Sequence, residues 1–407
     1  MRTGVVKVFF WFVCCMPVIA MAQDAKVLTG QLETIFKGLR PADRKVLVGD
    51  YVEAMTSSLL SAEEKSAVET VFQGLQDLHV PVVPDLQNYV LCVNGFGKRQ
   101  EKENLMLWLK GVQKALSAPE RKRTAVKTYL ESVSLLASRQ VLYEGNGWQW
   151  QFDGKMVWRD KPLRVDFQDG NLICATRKDT IRVYSTQGTY VVGEEVVKAR
   201  GGQVKWKDNE EMCADLNRYS VNLKGSAYTA DSVLFRYASR FSYPLAGTLK
   251  DNALKYARGK DTPFPEFNSY AEDVEIRDIY RDMSFRGGIL YKGVKFFGTG
   301  SDEHPALLEV VPNDSISLKL YAKQFSFDSA RIISGHTAME IVMEGGEITH
   351  SDINFLYTLP QHTVTLKRNS EQSQHSPFRD SYHQILFNME EIYWPLDSNY
   401  LEMRMGN

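Results

Sequence analysis

The hydrophobic periodicity of this 407-residue chain changes near Arg139. Before that point apolar side chains recur every three or four positions, as in Val68–Leu75, which is the spacing of an amphipathic helix. After it they alternate with polar residues, as in Trp148–Phe152, which is the spacing of a half-buried strand. Helices followed by strands, without long helices between the strands, predict an α+β chain and argue against a doubly wound parallel sheet.

The helical part is predicted to be a small bundle that forms a domain over residues 23–139. Ser61 followed by Glu64 is a capping box, which predicts that a helix begins there. Prolines such as Pro41 and Pro119 separate the helical segments. Each segment has an apolar stripe that must be covered by a neighbour, and a bundle does this most simply.

The strand-rich part is predicted to be an all-β domain over residues 140–407. Two of its segments, Thr229–Tyr237 and Thr349–Tyr357, share a skeleton of Thr, three residues, a β-branched aliphatic residue, and then Phe and Tyr at alternate positions. Alternation alone also produces such similarity. The repetition nevertheless favours a repeat-like body of equivalent strands, either a β-solenoid or a stacked sheet.

The C-terminal residues still have the composition of core-forming strands. Tyr393–Leu396 and Tyr400–Met403 are rich in aromatic and aliphatic residues, close to Asn407. Because a stacked body needs a polar cap at each end, we expect the chain to continue beyond residue 407.

Residues 1–22 have the order of a secretory signal peptide. Arg2 and Lys7 precede the apolar run Val8–Ala20, and Ala20-Met21-Ala22 is a small-x-small cleavage site. The run is short for a membrane-spanning helix, and no later run is long enough to predict one. We therefore expect export to the periplasm, the outer membrane or the exterior.

The charge of the mature chain bears on its partners. Without Arg2 and Lys7 the chain has 47 basic and 50 acidic residues. A nucleic-acid-binding protein normally has a strongly basic surface, so nucleic acid is not predicted as a partner.

Three cysteines remain after removal of the signal peptide, namely Cys92, Cys174 and Cys213. Their spacing matches no metal knuckle, and we expect small buried side chains. If one disulfide forms, Cys174 with Cys213 is the preferred pair, because both lie in the strand-rich part.

No catalytic motif is complete in the sequence. Gly95-Phe96-Gly97-Lys98 lacks the glycine spacing and the following Ser or Thr of a phosphate-binding loop. Asp302–His304 and His350–Asp352 place carboxylates beside imidazoles, but their spacing matches no ligand set. The sequence therefore predicts no cofactor, no metal and no catalytic residue, and favours a protein that is not an enzyme.

Three tryptophans are the candidate ligand-binding residues. Trp148, Trp150 and Trp158 lie near several aspartates in the sequence. Aromatic faces beside carboxylates are used to bind and hydrolyse glycans. Burial in the core explains the same tryptophans equally well, since Trp148 and Trp150 point to one face of a strand.

Glycine and aromatic positions carry a weak resemblance to a known group. The segments Gly201–Trp206, Tyr219–Leu223, Ala230–Val233 and Pro244–Gly247, with the glycines of 287–300, resemble a pattern in very long exported β-rich proteins of Gram-negative bacteria. The resemblance covers roughly residues 148–394. It implies an extended, strand-stacked body and supplies no catalytic residues.

These observations together favour an exported, non-enzymatic structural or binding protein of the bacterial envelope or cell surface, with envelope proteins or glycans as partners. Two alternatives remain open: a carbohydrate-binding or carbohydrate-active β-helix protein, and a carrier of envelope lipid or lipopolysaccharide.

Overall fold

The computed structural model describes residues 24–118, 122–206, 209–254, 263–369 and 376–405. The predicted signal peptide lies outside these residues.

The chain packs into two compact units. The first contains the described residues up to Thr180, with Ser185–Ala199 and Val221–Ser226. The second contains Ile181–Tyr184, Arg200–Ser220 and the described residues from Ala227 onward. The first unit thus includes strands as well as helices, and the predicted domain limits at residues 23–139 and 140–407 stay a prediction.

The described part of the chain begins with six α-helices, and a π-helical turn at Val82–Leu86 precedes the fourth. The helices are α1 (24–35), α2 (Pro41–Thr56), α3 (Ala62–Asp77), α4 (Gln87–Lys98), α5 (Lys102–Ser117) and α6 (Lys122–Arg139). The predicted capping box is confirmed: the Glu64 amide donates to the Ser61 hydroxyl, and the Ser61 amide donates to the Glu64 carboxylate.

Close backbone contact joins α4 to α6. A Cβ atom added at Gly95 would lie 2.0 Å from the Ala137 carbonyl oxygen, so only glycine allows this approach. Around this contact the Tyr89 and Trp108 rings stack with centroids 5.5 Å apart, and the Tyr89 hydroxyl donates to the Val68 carbonyl. The helices therefore form a packed bundle, as the apolar stripes predicted.

Strands follow directly, because α6 ends at Arg139 and the first strand begins at Val141. This order confirms the predicted α+β class, with helices before a strand-rich body. The strands are β1 (Val141–Glu144), β2 (Trp148–Phe152), β3 (Lys155–Arg159), β4 (Arg164–Thr176), β5 (Thr180–Val191), β6 (Val196–Arg200), β7 (Gln203–Trp206), β8 (Asn209–Asp215), β9 (Arg218–Asn222), β10 (Ala227–Tyr237), β11 (Leu245–Asn252), β12 (Glu266–Ser269), β13 (Val274–Tyr280), β14 (Met283–Lys292), β15 (Lys295–Thr299), β16 (Ala306–Val310), β17 (Ile316–Ala322), β18 (Gln324–Phe327), β19 (Arg331–Met343), β20 (Gly346–Thr358), β21 (Thr363–Arg368), β22 (Phe378–Asp380), β23 (Ile385–Phe387), β24 (Glu391–Pro395) and β25 (Glu402–Arg404).

In the second unit these strands form two antiparallel ladders. The first ladder runs β13-β14-β16-β17-β19-β20-β22-β23. The second runs β10-β11-β12-β14-β15-β18-β19-β20-β21-β24-β25. Three long strands, β14, β19 and β20, contribute one half to each ladder. The second unit is therefore a stacked sheet, one of the two forms that the sequence left open.

Rows of buried side chains cross the ladders from strand to strand. One row of the second ladder has ten consecutive buried members, namely Ala230, Leu249, Phe267, Tyr291, Phe296, Phe327, Ile332, Tyr357, Val364 and Trp394. The two ladders face each other, because the Phe285 ring of the first lies 5.4 Å from the Phe327 ring of the second. Burying each large apolar side chain contributes about 1.5–3 kcal/mol, so these rows hold the ladders together.

The long strands break their pairing at mid-length. Ser232 in β10 and His336 in β19 have left-handed backbone conformations, with φ of 57° and 52°, and the strand register shifts beside each. Such bulges bend a strand and redirect it. Val233 and Ile353 are the first paired residues after the breaks in β10 and β20. The shared skeleton in the sequence therefore marks equivalent positions in two long, broken strands.

Candidate functional site

The three candidate tryptophans lie in the first unit and have the contacts of core residues. Trp150 is fully buried, and its indole N–H donates to the Gly225 carbonyl at 2.7 Å. Trp148 is half-buried and donates to the Leu223 carbonyl at 3.1 Å, and buried Trp158 meets the Phe96 ring edge-on. Glycan binding by these residues stays a prediction, although a buried indole offers no face to a sugar.

None of the three described cysteines forms a disulfide, so the alternative pair Cys174 and Cys213 is not bonded. Cys92 and Cys174 are buried, and burial raises the pKa of the Cys92 thiol well above its ordinary value. The preferred interpretation, small buried side chains, fits these two positions; Cys213 is half-buried.

The carboxylate–imidazole segments lie apart from each other. His304 is exposed in a turn, whereas His350 is buried against the Phe378 ring with its Nε2 3.0 Å from the Ser376 carbonyl. Within the described ranges, no group of three or more His, Cys, Asp or Glu side chains is arranged to hold a metal ion. The same ranges contain no helix that is long and apolar enough to cross a membrane.

A charge cluster joins three turns that are distant in the sequence. His362 lies between two carboxylates, with Nδ1 3.1 Å from Asp397 Oδ1 and Nε2 3.6 Å from Asp282 Oδ2. Arg281 also contacts both carboxylates, at 3.3 Å. The close contact with the His362 ring is the main cause that lowers the pKa of Asp397. The cluster ties the β13–β14, β20–β21 and post-β24 turns together, and no sequence motif signalled it.

A groove of about 910 Å³ lies among α1, α2 and α3 in the first unit, with Leu28, Tyr51, Met55 and Phe72 among its lining residues. A groove of this size is large enough for a small ligand. Polar side chains, among them Gln31, Glu69 and Gln73, share the lining, and the lipid-carrier alternative stays a prediction.

The exposed apolar side chains at the end of the two ladders form the candidate binding surface. Both ladders extend from β20, away from β19, and end at β23 and β25. Among the described strands, β23 pairs with β22 and β25 pairs with β24, so each has one free edge. We call the exposed side chains on and beside these strands the end surface: Tyr382, Ile385, Leu386, Tyr400, Met403 and Met405.

The end surface consists partly of residues that continue inward-facing rows and yet are exposed in the described part of the chain. In the first ladder the inward row runs through buried Ile341, Ile348 and Asp380 and ends at Ile385, which is 50% exposed. In the second ladder the row through buried Leu366 and Ile392 ends at Met403, which is 43% exposed. Leu386, on the opposite side of β23, is 67% exposed. A free strand edge with exposed apolar residues is a typical pairing site for another polypeptide.

Asp380 holds the hairpin that presents β23. Its carboxylate accepts hydrogen bonds from the amides of Tyr382 and His383 and lies 2.8 Å from His383 Nδ1. The hydrogen bond with the His383 side chain is the main cause that lowers the pKa of Asp380 from its ordinary value of 3.8. The ionised carboxylate therefore stabilises the turn between β22 and β23.

We expect Asp380→Ala to lower the free energy of unfolding by about 1–2 kcal/mol near neutral pH, because the turn loses its acceptor. A carboxyl group with a depressed pKa stabilises the fold above its unfolded pKa of about 3.8, and this contribution is lost as pH falls through the folded value. The difference from wild type should thus shrink between about pH 6 and about pH 3, as measured by urea unfolding. Exposed Asp314→Ala is the control, and an equal loss at both pH values would contradict the assignment.

The outward face of β25 is charged. Glu402 and Arg404 lie two residues apart and pair with each other at 2.6 Å, and Arg404 also lies 3.5 Å from Glu391. The Arg404 guanidinium stacks 3.8 Å above the Tyr393 ring. Met403 lies between the two charges and points to the opposite, inward face. β25 therefore offers one apolar and one charged face beside its free edge.

Comparison of the chain with models of protein families, with curated proteins and with solved structures finds no match. The resemblance to long exported β-rich proteins therefore stays a prediction.

The sequence indicated one half of the end surface. Tyr393–Leu396 and Tyr400–Met403 were expected to form core strands, and they contribute to β24 and β25. β23 was not predicted, because three residues are too few to show alternation. Exposed Ile385 and Leu386 become informative only once the neighbours of β23 are known.

Proposed function

We propose that this protein is an exported structural and binding protein of the bacterial envelope or cell surface. In this proposal the ladders of the second unit are a rigid support, and the end surface joins the protein to other polypeptides. The observation that carries the proposal is the exposure of inward-row residues, Ile385 and Met403, on strands with a free edge. Strand addition at such an edge supplies main-chain hydrogen bonds and covers the exposed side chains.

Two further features support the proposal. The pattern of residues 1–22 favours export. Buried rows that continue over many strands favour a stiff body, because closely packed interiors resist deformation.

The proposal is tested by association with the envelope fraction of producing cells. We expect purified protein that begins at residue 23 to sediment when it is mixed with this isolated fraction. Leu386→Lys should lower its binding constant for the fraction at least about tenfold, equivalent to about 1.4 kcal/mol. The lysine would place a charge in the middle of β23, where a pairing strand must exclude water. Val294→Lys is the matched control, because Val294 is also exposed, at 58%, but lies in the turn after β14.

The two variants distinguish a specific surface from general stickiness. Equal sedimentation of Leu386→Lys and wild type would overturn the proposal, as would wild-type protein that stays in the supernatant. Equal losses in both variants would assign the association to overall hydrophobicity and would also contradict it.

A further inference from the structure

We propose that the polypeptide that pairs with the end surface is a second copy of this chain, joined to the first by antiparallel pairing of the two β25 strands. The inference rests on the proposed function and names the partner of the same surface. It starts from the free edge of β25 and the order of its residues, Glu402-Met403-Arg404.

The sequence of β25 is complementary to itself in one register. When Met403 of one copy lies opposite Met403 of the other, Glu402 of each copy lies opposite Arg404 of the other. Opposite charges directly across a strand pair stabilise it, and like charges destabilise it. The same register places Leu401 opposite Met405, so the inward faces meet through apolar side chains.

Neighbouring registers lack this match. A shift of the two-fold centre to Glu402 places two carboxylates opposite each other, and a shift to Arg404 does the same with two guanidinium groups. A centre between two residues pairs inward Met403 with an outward charge, because side chains alternate between faces. Self-complementarity of this kind is what a two-fold symmetric interface requires.

The second copy would cover side chains that are exposed in the described part of the chain. Met403 ends the row of Leu366 and Ile392, and a paired β25 would extend that row into the partner. Arg404 lies over Tyr393 and near Glu391, both on β24, so its guanidinium must turn toward the free edge to meet the partner's Glu402. Burial of apolar surface then adds to the charge match.

Charge reversal provides the test, with oligomeric state measured by sedimentation velocity and light scattering over a concentration series. We expect a wild-type dimer, and a dissociation constant at least about tenfold higher in Glu402→Arg or Arg404→Glu. The double variant, which exchanges the two charges, should restore the dimer. An equimolar mixture of the two single variants should form heterodimers, because one strand then carries two positive and the other two negative charges.

A matched pair on β13 provides the control. Glu275 and Arg277 also lie two residues apart and contact at 2.7 Å, but Ile276 between them is buried. Arg277→Glu should leave the dimer unchanged. If it weakens association as Arg404→Glu does, the copies join head to tail through β25 and β13, and the two-fold pairing is wrong. Circular dichroism and the thermal transition of each variant verify folding.

The outcomes separate this inference from the proposed function. Wild-type protein that is monomeric up to about 100 μM, yet sediments with envelopes through Leu386, overturns the second copy and keeps the proposed function. Failure of the double variant to restore the dimer also overturns the β25 pairing. Wild-type protein that neither self-associates nor sediments with the envelope fraction overturns both proposals.

Discussion

Replacing Trp150 with alanine is expected to lower the free energy of unfolding by about 3–5 kcal/mol, the range for large buried aromatic side chains. Trp150 is fully buried on β2, between Tyr143 of β1 and Cys174 of β4. The variant loses this burial, leaves a cavity and removes the donor of the hydrogen bond to Gly225. Chemical unfolding followed by far-UV circular dichroism measures the loss without relying on tryptophan fluorescence.

Two comparisons make the Trp150 prediction specific. Trp148→Ala removes a half-buried indole from the same strand and should cost less. Trp150→Phe keeps most of the volume but loses the donor, and should lie between wild type and Trp150→Ala. If Trp150→Ala instead preserves stability and abolishes fluorescence quenching by a polysaccharide, the side chain is a sugar platform and not a core residue.

Gly95→Ala is expected to destabilise the first unit by about 2–4 kcal/mol, at or above the upper part of the range for overpacked cores. The added Cβ would lie 2.0 Å from the carbonyl oxygen and 2.5 Å from the carbonyl carbon of Ala137. These are backbone atoms of α6, so no rotation of a side chain relieves the contact and the helices must separate. Urea unfolding of the variant measures the cost.

Gly49→Ala is the matched control for this substitution. Gly49 lies inside α2, and a Cβ added there meets no heavy atom within 4 Å. Alanine is favoured over glycine within helices by about 0.8–1 kcal/mol, so the same chemical change should stabilise the protein. Opposite signs at the two glycines would confirm that contact with α6, and not helix propensity, governs the effect at Gly95. Equal effects would contradict it.

The fold class could be predicted because it depends on local patterns. The capping box at Ser61 and the change of periodicity near Arg139 are set by residues a few positions apart, and both are confirmed. The similarity of Thr229–Tyr237 and Thr349–Tyr357 was visible in the sequence as a shared skeleton. The structure explains it, because each segment contains a break in strand pairing at mid-length. The sequence did not show that β14, β19 and β20 each contribute one half to each ladder, because this depends on which distant strands pair with each half.

The candidate surface was less accessible to sequence reasoning. The tryptophans drew attention because their type suits glycan binding, yet Trp150 is enclosed by neighbours distant in the sequence. Ile385 and Met403 looked like ordinary strand residues. Their exposure follows from being the last members of rows that cross several strands, and a row is a property of the strand order.

By itself the sequence determined where helices are followed by strands and which strand residues alternate toward a core. Both depend on backbone geometry over one or two helical turns or a few strand residues. Only the tertiary structure decided which strands are neighbours, and hence that, among the described residues, Ile385 and Met403 are exposed while Trp150 is buried. The physical reason is that burial is set by contacts between distant segments, and alternation fixes a face of a strand without fixing what packs against it.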